Sequence, residues 1–185
     1  RCSLTSIEIP SGVTSIGGYA FYDCSSLTSI EIPSSVTSIE CNAFEGCSSL
    51  TSIEIPNSVT SIGGYAFCDC TNLTSIIIPD SVTSIEYFAF YNCSSLTSIE
   101  IPSSVTSIGK SAFEYCSSLT SVTFGDNSQL TSIGDAAFEY CKSLTSIEIP
   151  DSLEELGTRV FDGCNIKALP GVLLKFYAPD LNLVP

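Results

Sequence analysis

Residues 27–49 read Leu27-Thr-Ser-Ile-Glu-Ile-Pro-Ser-Ser-Val-Thr-Ser-Ile-Glu-Cys-Asn-Ala-Phe-Glu-Gly-Cys-Ser-Ser49, and this stretch decides the fold because it recurs along the chain. Its leading leucine returns at Leu4, Leu50, Leu73, Leu96 and Leu119, every 23 residues, and at Leu144 after 25, giving about seven units with the last one degenerate. The apolar members Leu27, Ile30, Ile32, Val36, Ile39, Ala43, Phe44 and Cys47 cannot share one side of either a 3.6-residue helix or a single long strand. A unit of this length buries them together only by turning through roughly one circuit, so that each residue stacks on its equivalent in the next unit. The core is therefore expected as columns rather than as faces.

Within a unit the Leu-x-x-Ile-x-Ile stretch is β-branched and stops at Pro33, which has no N–H to continue a ladder. Pro10, Pro56, Pro79, Pro102 and Pro150 repeat that stop. Val36–Ile39 is a second short extended piece, after which Gly17-Gly18 or its substitutes turn the chain into Ala20-Phe21, expected on a single helical or 3₁₀ turn. Neighbouring rungs are expected about 4.8 Å apart. Phe21, Phe44, Phe67, Phe90, Phe113, Phe138 and Phe161 then form one stacked apolar spine. The fold class is a β-dominated solenoid.

The 185 residues carry 20 acidic and 6 basic side chains, a formal net charge of -14, so nucleic acid and anionic membrane are poor partners. No run approaches the length of a membrane span, so no membrane insertion is expected, and Arg1-Cys2-Ser3-Leu4 lacks the apolar core of a signal peptide. Histidine and tryptophan are both absent, which removes the commonest general base and the imidazole metal ligand. Catalysis is not expected.

The unit Leu-Thr-Ser-Ile-x-Ile-Pro-x-x-Val-Thr-Ser-Ile-Gly-x-x-Ala-Phe-x-x-Cys resembles the BspA-like, treponemal-type class of leucine-rich repeats over residues 4–164. The resemblance implies a right-handed leucine-rich-repeat superhelix with its main parallel sheet on the concave side. It also implies an extracellular or cell-surface setting, where such arrays act in adhesion. Departures gather near the end, where Glu154-Glu155 replaces Thr-Ser and Val160 replaces Ala.

Two domains are expected: the repeat array over residues 1–164 and a capping segment over 165–185. The latter keeps Ile166, Leu169, Val172, Leu173, Leu174, Phe176 and Tyr177 between the breaks Pro170 and Pro179, and would cover the last rung. At the other end Leu4, Ile7 and Ile9 are expected on an open edge, as in a piece of a longer chain or a surface covered by a partner.

The outward positions of the main strand write a Ser column beside a Glu column. Glu8, Ser29, Glu31, Ser52, Glu54, Ser75, Ile77, Ser98 and Glu100 are the candidate partner-binding residues, with Ile77 an apolar point inside an acidic ridge. Stacked Glu residues would fall near the carboxylate spacing of glycosidases by accident, since nothing predicts a cleft facing them. Seven of the 10 cysteines (Cys24, Cys47, Cys70, Cys93, Cys116, Cys141, Cys164) share one repeat position and are expected as a buried column of reduced thiols whose S–H groups reach turn carbonyls. Cys2, Cys41 and Cys68 lie off the column and are the ones expected to oxidise, with Cys68-Asp-Cys70 alternating outward and inward. The paired Cys-x-x-Cys spacing of zinc sites is missing, so neither a metal nor a cofactor is expected.

Columns of Thr14, Thr37, Thr60, Thr83, Thr106 and Thr131 and of Ser15, Ser38, Ser61, Ser84, Ser107 and Ser132 offer regular hydroxyls for glycan or ice, or merely keep a second ladder soluble. Tyr19, Tyr65 and Phe88, and near the turn Tyr22, Tyr91, Tyr115 and Tyr140, are candidate contacts. Gly125-Asp-Asn-Ser-Gln129 lengthens one turn by two residues and is expected to project as a loop. The resulting reading is a non-catalytic binding or adhesion module for a protein partner, such as a host matrix or cell-surface protein. The alternative is a structural surface-coat or spacer array.

Overall fold

The computed structural model describes residues 2–167 and 170–177. The chain forms a β-solenoid whose turns each contribute a main-strand segment, a short second strand and a compact turn. The second strands are β1 (Ser15–Ile16), β2 (Ser38–Ile39), β4 (Ser61–Ile62), β6 (Ser84–Ile85), β8 (Ser107–Ile108), β10 (Ser132–Ile133) and β11 (Glu155–Leu156). They pair in parallel as β1-β2-β4 and as β6-β8-β10-β11, with Ser38 opposite Ser15 and Ser61, one period away on either side. Equivalent residues therefore stack, as the period demands.

The main strands are β3 (Ser52–Glu54), β5 (Ser75–Ile77), β7 (Ser98–Ile101) and β9 (Ser121–Phe124), and they pair in doublets: β3 with β5 and β7 with β9. Glu8 and Glu31 make an isolated parallel bridge in the same column. Along each strand the residues alternate outward and inward, so Ile53, Ile76, Ile99 and Val122 enter the core while Ser and Glu face solvent.

Inside, Leu27, Leu50, Leu73, Leu96, Leu119 and Leu144 are wholly buried, and the phenylalanine spine runs unbroken from Phe21 to Phe161. Ring centroids are 5.3 Å apart for Phe44 and Phe67 and 5.4 Å for Phe67 and Phe90, each pair lying within 4° of parallel. The spine is less enclosed at Phe161, which is half-buried.

The Ala-Phe segment, expected on a single helical or 3₁₀ turn, is a run of turns in which only alternate N–H groups close three residues back. Ala20, Tyr22 and Cys24 donate N–H groups three residues back, to Gly17, Tyr19 and Phe21. The intervening Tyr19, Phe21 and Asp23 donate to Cys41, Ala43 and Glu45 of the next rung. A helix needs every N–H directed along its own axis. Here every second one points along the solenoid, which places Tyr19 and Asp23 in the left-handed region at φ 60 and 53.

Side chains tie rungs together as well. The thiols of Cys47, Cys70, Cys93, Cys116 and Cys141 each donate to a phenylalanine carbonyl in the preceding rung, at 3.2 Å. Ser35, Ser58, Ser81 and Ser104 donate to Val13, Val36, Val59 and Val82 in the same way. Thr37, Thr60, Thr106 and Thr131 donate to the carbonyls of Thr14, Thr37, Thr83 and Thr106. Those threonine hydroxyls spend their proton within the ladder, which explains the small hydroxylated residues by packing and hydrogen bonding.

After the last rung come a 3₁₀ turn at Gly171–Leu173 and the one-turn helix α1 at Leu174–Tyr177. Leu173 is buried, Ile166, Val172 and Phe176 pack against the core, and the Lys175 ammonium donates to the carbonyl of Leu153. Of the expected cap, Leu169 and Pro179 lie outside the described residues. At the other end Ile7 is exposed, as expected of an edge, whereas Leu4 and Ile9 are half-buried against the core.

Candidate functional site

All nine candidate residues of the main strip, Glu8, Ser29, Glu31, Ser52, Glu54, Ser75, Ile77, Ser98 and Glu100, are exposed. Register puts Glu8 beside Glu31, Ser52 beside Ser75 and Glu54 beside Ile77. Ser98 and Glu100 face Ser121 and Thr123. The strip is interrupted between Glu31 and Glu54 and again between Ile77 and Glu100, where the flanking strands are not ladder-paired. Only Glu8 and Glu31 are adjacent like charges within a paired segment. Ile77 is 74% exposed, the most exposed of the large apolar side chains among the described residues.

A further interruption of the main strip lies at the lengthened rung. Gly125 and Gln129 donate backward to Ile101 and Ser103, so the inserted loop leans on the preceding rung. A side chain at Gly125 would meet the Ser103 nitrogen at 2.8 Å, which is why glycine sits there. Among the described residues no hydrogen bond joins β9 to residues 146–149. Between them lies a groove of about 810 Å³ lined by Ser121, Thr123, Asp126, Ser146, Glu148 and Asp151 among others. The loop was legible in the two-residue excess, but the groove beside it was not.

Two cysteine expectations are corrected. Cys24 is not a free member of the column: it forms a disulfide with Cys2, the Cα atoms lying 4.7 Å apart. Cys24 has Cys2 before it where the later members have a phenylalanine carbonyl to bond. Cys68 does not alternate outward. It is buried beside Cys70, because both flank Asp69, whose φ of 58 takes the backbone out of strand geometry. Cys41 is free and exposed. Burial pushes the Cys47 and Cys116 thiols up to about 12 and raises Cys70 and Cys93 well above the usual range. Those four thiols are inert packing rather than nucleophiles.

Cys68 with Glu45 and Asp69 is the group of described residues whose donor atoms, all within 4.8 Å of one another, could hold a metal ion. Without one it is already a hydrogen-bonded cluster. The Cys68 thiol donates to Asp69 Oδ2 at 3.7 Å, Asn92 donates to Asp69 Oδ1 at 2.8 Å, and Asn42 donates to Glu45. Burial, with Asp69 and Glu45 adding to it, keeps the Cys68 thiol protonated well above its usual range.

The surface aromatics divide by exposure. Tyr19, Tyr22, Tyr115 and Tyr140 are exposed, while Tyr65, Phe88 and Tyr91 are half-buried in a stack in which Tyr65 and Phe88 lie 4.7 Å apart. Sequence reasoning missed Tyr87, which is exposed on one side and covers Gly64 on the other. Its signal was the pairing of a tyrosine with the glycine one period earlier.

A family model described as the BspA type leucine rich repeat region matches this chain in 6 copies, over residues 1–116 and 37–167. No curated protein matches it. A leucine-rich repeat protein from Eubacterium ventriosum is similar at 32% identity and a TM-score of 0.80, over 90% of this chain and 45% of its own. The T. pallidum leucine-rich repeat protein is similar at 32% identity and a TM-score of 0.74, over 96% of this chain and 83% of its own. A leucine-rich cell surface protein from Faecalibacterium prausnitzii is similar at 32% identity and a TM-score of 0.54, over 88% of this chain and 52% of its own. The chain thus spans about half the length of the Eubacterium and Faecalibacterium proteins.

Proposed function

Since this chain belongs to the BspA-type leucine-rich repeat family, we propose that it is a non-catalytic protein-binding module of a secreted or cell-surface protein. The partner docks on the outward strip from Glu8 to Glu100, and a host matrix or cell-surface protein is the class of partner the reading favours. One observation carries this: Ile77 stands 74% exposed in the strip, directly beside Glu54 in the strand register. An exposed branched apolar side chain ringed by carboxylates and hydroxyls has the make-up of a small interface centre with a polar rim. The net charge of -14 favours a basic partner surface. The Faecalibacterium neighbour, a cell surface protein, supports the setting. Residues 165–185 serve in the same proposal as a cap on the array, which the burial of Leu173 supports.

The test is binding of purified matrix proteins to the immobilised chain, compared with the double variant Glu31→Lys/Glu54→Lys and with Ile77→Ser. Loss of about tenfold or more in affinity for a matrix protein, about 1.4 kcal/mol, is the expected result. Unchanged binding of every matrix protein by both variants rejects the strip. A spacer array would tolerate both changes and fail only when a rung is deleted.

A further inference from the structure

Tyr65, Tyr87, Phe88, Tyr91, Tyr115 and Tyr140 form one continuous band of rings along the turns. Centroids lie 5.6 Å apart for Tyr65 and Tyr87, 4.7 Å for Tyr65 and Phe88 and 5.5 Å for Phe88 and Tyr91. The chain of contacts continues at 5.6 Å from Tyr91 to Tyr115 and at 4.9 Å from Tyr115 to Tyr140. The band runs obliquely, because the ring passes from the turn position of Tyr65 and Phe88 to that of Tyr91 and then to that of Tyr115 and Tyr140. Tyr65, Phe88, Tyr115 and Tyr140 sit in the left-handed region, at φ 59, 55, 62 and 59. Elsewhere in the array the same positions hold, among others, Asn42, Gly46, Asp69, Asn92 and Gly163, residue types that adopt this conformation at least cost. A bulky ring there is an outlier, and outliers of this kind gather at functional surfaces. Burial does not account for it at Tyr115 and Tyr140, which keep 39% and 37% of their surface exposed.

The field over the rings is negative. Burial, Glu114, Tyr115 and Asp69 raise the Tyr91 phenol above its usual range, and burial, Tyr140, Glu114 and Glu139 do the same to Tyr115. Glu86 adjoins Tyr87 in the sequence. Arg159 is engaged with Glu139 at 3.4 Å, whereas Asp69, Glu86 and Glu114 have no ion-pair partner among the described residues. We propose that this band is a docking surface for an extended, arginine-bearing segment of a partner polypeptide. Its guanidinium groups lie on the exposed rings of Tyr87, Tyr115 and Tyr140, beside the carboxylates of Glu86, Glu114 and Asp69. Arginine suits both halves of the surface, since its planar cation stacks on an aromatic face and pairs with a carboxylate at its edge. A neutral glycan could stack on the same rings but gains nothing from the carboxylates, and an acidic segment is repelled. Tyr65 and Tyr140 are three rungs apart, so the band is about 14 Å long and meets about four extended residues. The surface does not depend on the Glu8–Glu100 strip, which lies on the main strands rather than the turns.

The experiment is isothermal titration of the full chain with a capped octapeptide of alternating arginine and glycine, at about 0.15 M salt to screen distant charges. It is repeated with citrulline in place of arginine, which keeps the shape and removes the charge, and with a neutral cello-oligosaccharide. The variants are Tyr87→Ser and Tyr115→Asn, the latter supplying the residue that Asn92 provides at the equivalent position. The controls are Tyr22→Ser, at an exposed tyrosine outside the band, and Glu31→Lys/Glu54→Lys on the strip. Circular dichroism reports folding. Tyr87 is not among the left-handed residues, so Tyr87→Ser carries the test should Tyr115→Asn fail to fold.

The expected result is that the arginine peptide binds and that affinity falls about fivefold or more with citrulline, with Tyr87→Ser and with Tyr115→Asn, while both controls bind like the unsubstituted chain. Undiminished binding by Tyr87→Ser, or by a folded Tyr115→Asn, overturns the site. Equal binding of the citrulline peptide overturns the role of the cation. Loss in Glu31→Lys/Glu54→Lys places the arginines on the strip, loss in Tyr22→Ser spreads them over exposed tyrosines at large, and either overturns the band. Binding of the oligosaccharide without the peptide, or of neither, overturns the proposal. A matrix protein that still docks on Glu31 and Glu54 while the peptide fails sinks the band alone.

Discussion

Replacing Phe67 by alanine removes a ring that is wholly buried in a central rung, with parallel neighbours at 5.3 and 5.4 Å. The backbone of Phe67 keeps its bonds, since its N–H donates to Ala89 and its carbonyl accepts the Cys93 thiol. The change therefore isolates the side chain. Truncating a buried phenylalanine costs about 3–5 kcal/mol, of which two lost ring contacts at roughly 0.5–1.5 kcal/mol each are part. The neighbouring rings cannot collapse into the space without breaking their own stacks on Phe21 and Phe113. Phe161 provides the internal control, being half-buried with one ring neighbour at 5.9 Å, and its truncation should cost about 1–2 kcal/mol. Urea unfolding followed by circular dichroism measures both, with tyrosine fluorescence as a second probe because the chain has no tryptophan. A loss below about 1 kcal/mol for Phe67→Ala, or one no larger than for Phe161→Ala, would refute the idea that the stacked column holds the rungs together.

The raised thiols make stability fall in alkali. Cys116 titrates near 9.0 when unfolded and near about 12 when folded, so its stabilisation is complete below pH 9 and is lost as pH rises from there towards 12. Within that window it costs about 1.4 kcal/mol per pH unit, and Cys116→Ala should flatten the decline measured by urea unfolding between pH 9 and 11. Arg159 lies 3.4 Å from the buried Glu139 carboxylate, whose Oε2 has no hydrogen bond. Arg159→Ala should cost about 1–3 kcal/mol, and Glu139→Gln in the same background should restore most of it if the stranded charge is the cause. Opening the Cys2–Cys24 disulfide frees a loop with a sequence separation of 22, worth about 3 kcal/mol by chain entropy. A thermal melt that is identical with and without dithiothreitol would contradict that value.

The architecture follows from the repeated unit alone, because that unit leaves a single way to bury eight apolar positions that share neither helical nor strand periodicity. Leu27, Phe44 and Cys47 could be assigned to the interior, and Glu31, Glu54 and Ile77 to the outside, from alternation and recurrence alone. The thiol-to-carbonyl bonds of the cysteine column were legible in part, since a repeated cysteine next to a turn has few other acceptors in reach. Relations between rungs were not legible. Pairing of the main strands in doublets, the gap between β9 and residues 146–149, and the closure of Cys24 on Cys2 all depend on how far one circuit sits from the next. A period states which residues face each other. It does not state how closely, because separation is set by everything packed between two turns, and a shift of an ångström or two is the difference between a hydrogen-bonded ladder and an open groove. The turn at Tyr19–Asp23 failed for a related reason: its local sequence suits a helical turn, and only the carbonyls of the next rung draw every second N–H away from it.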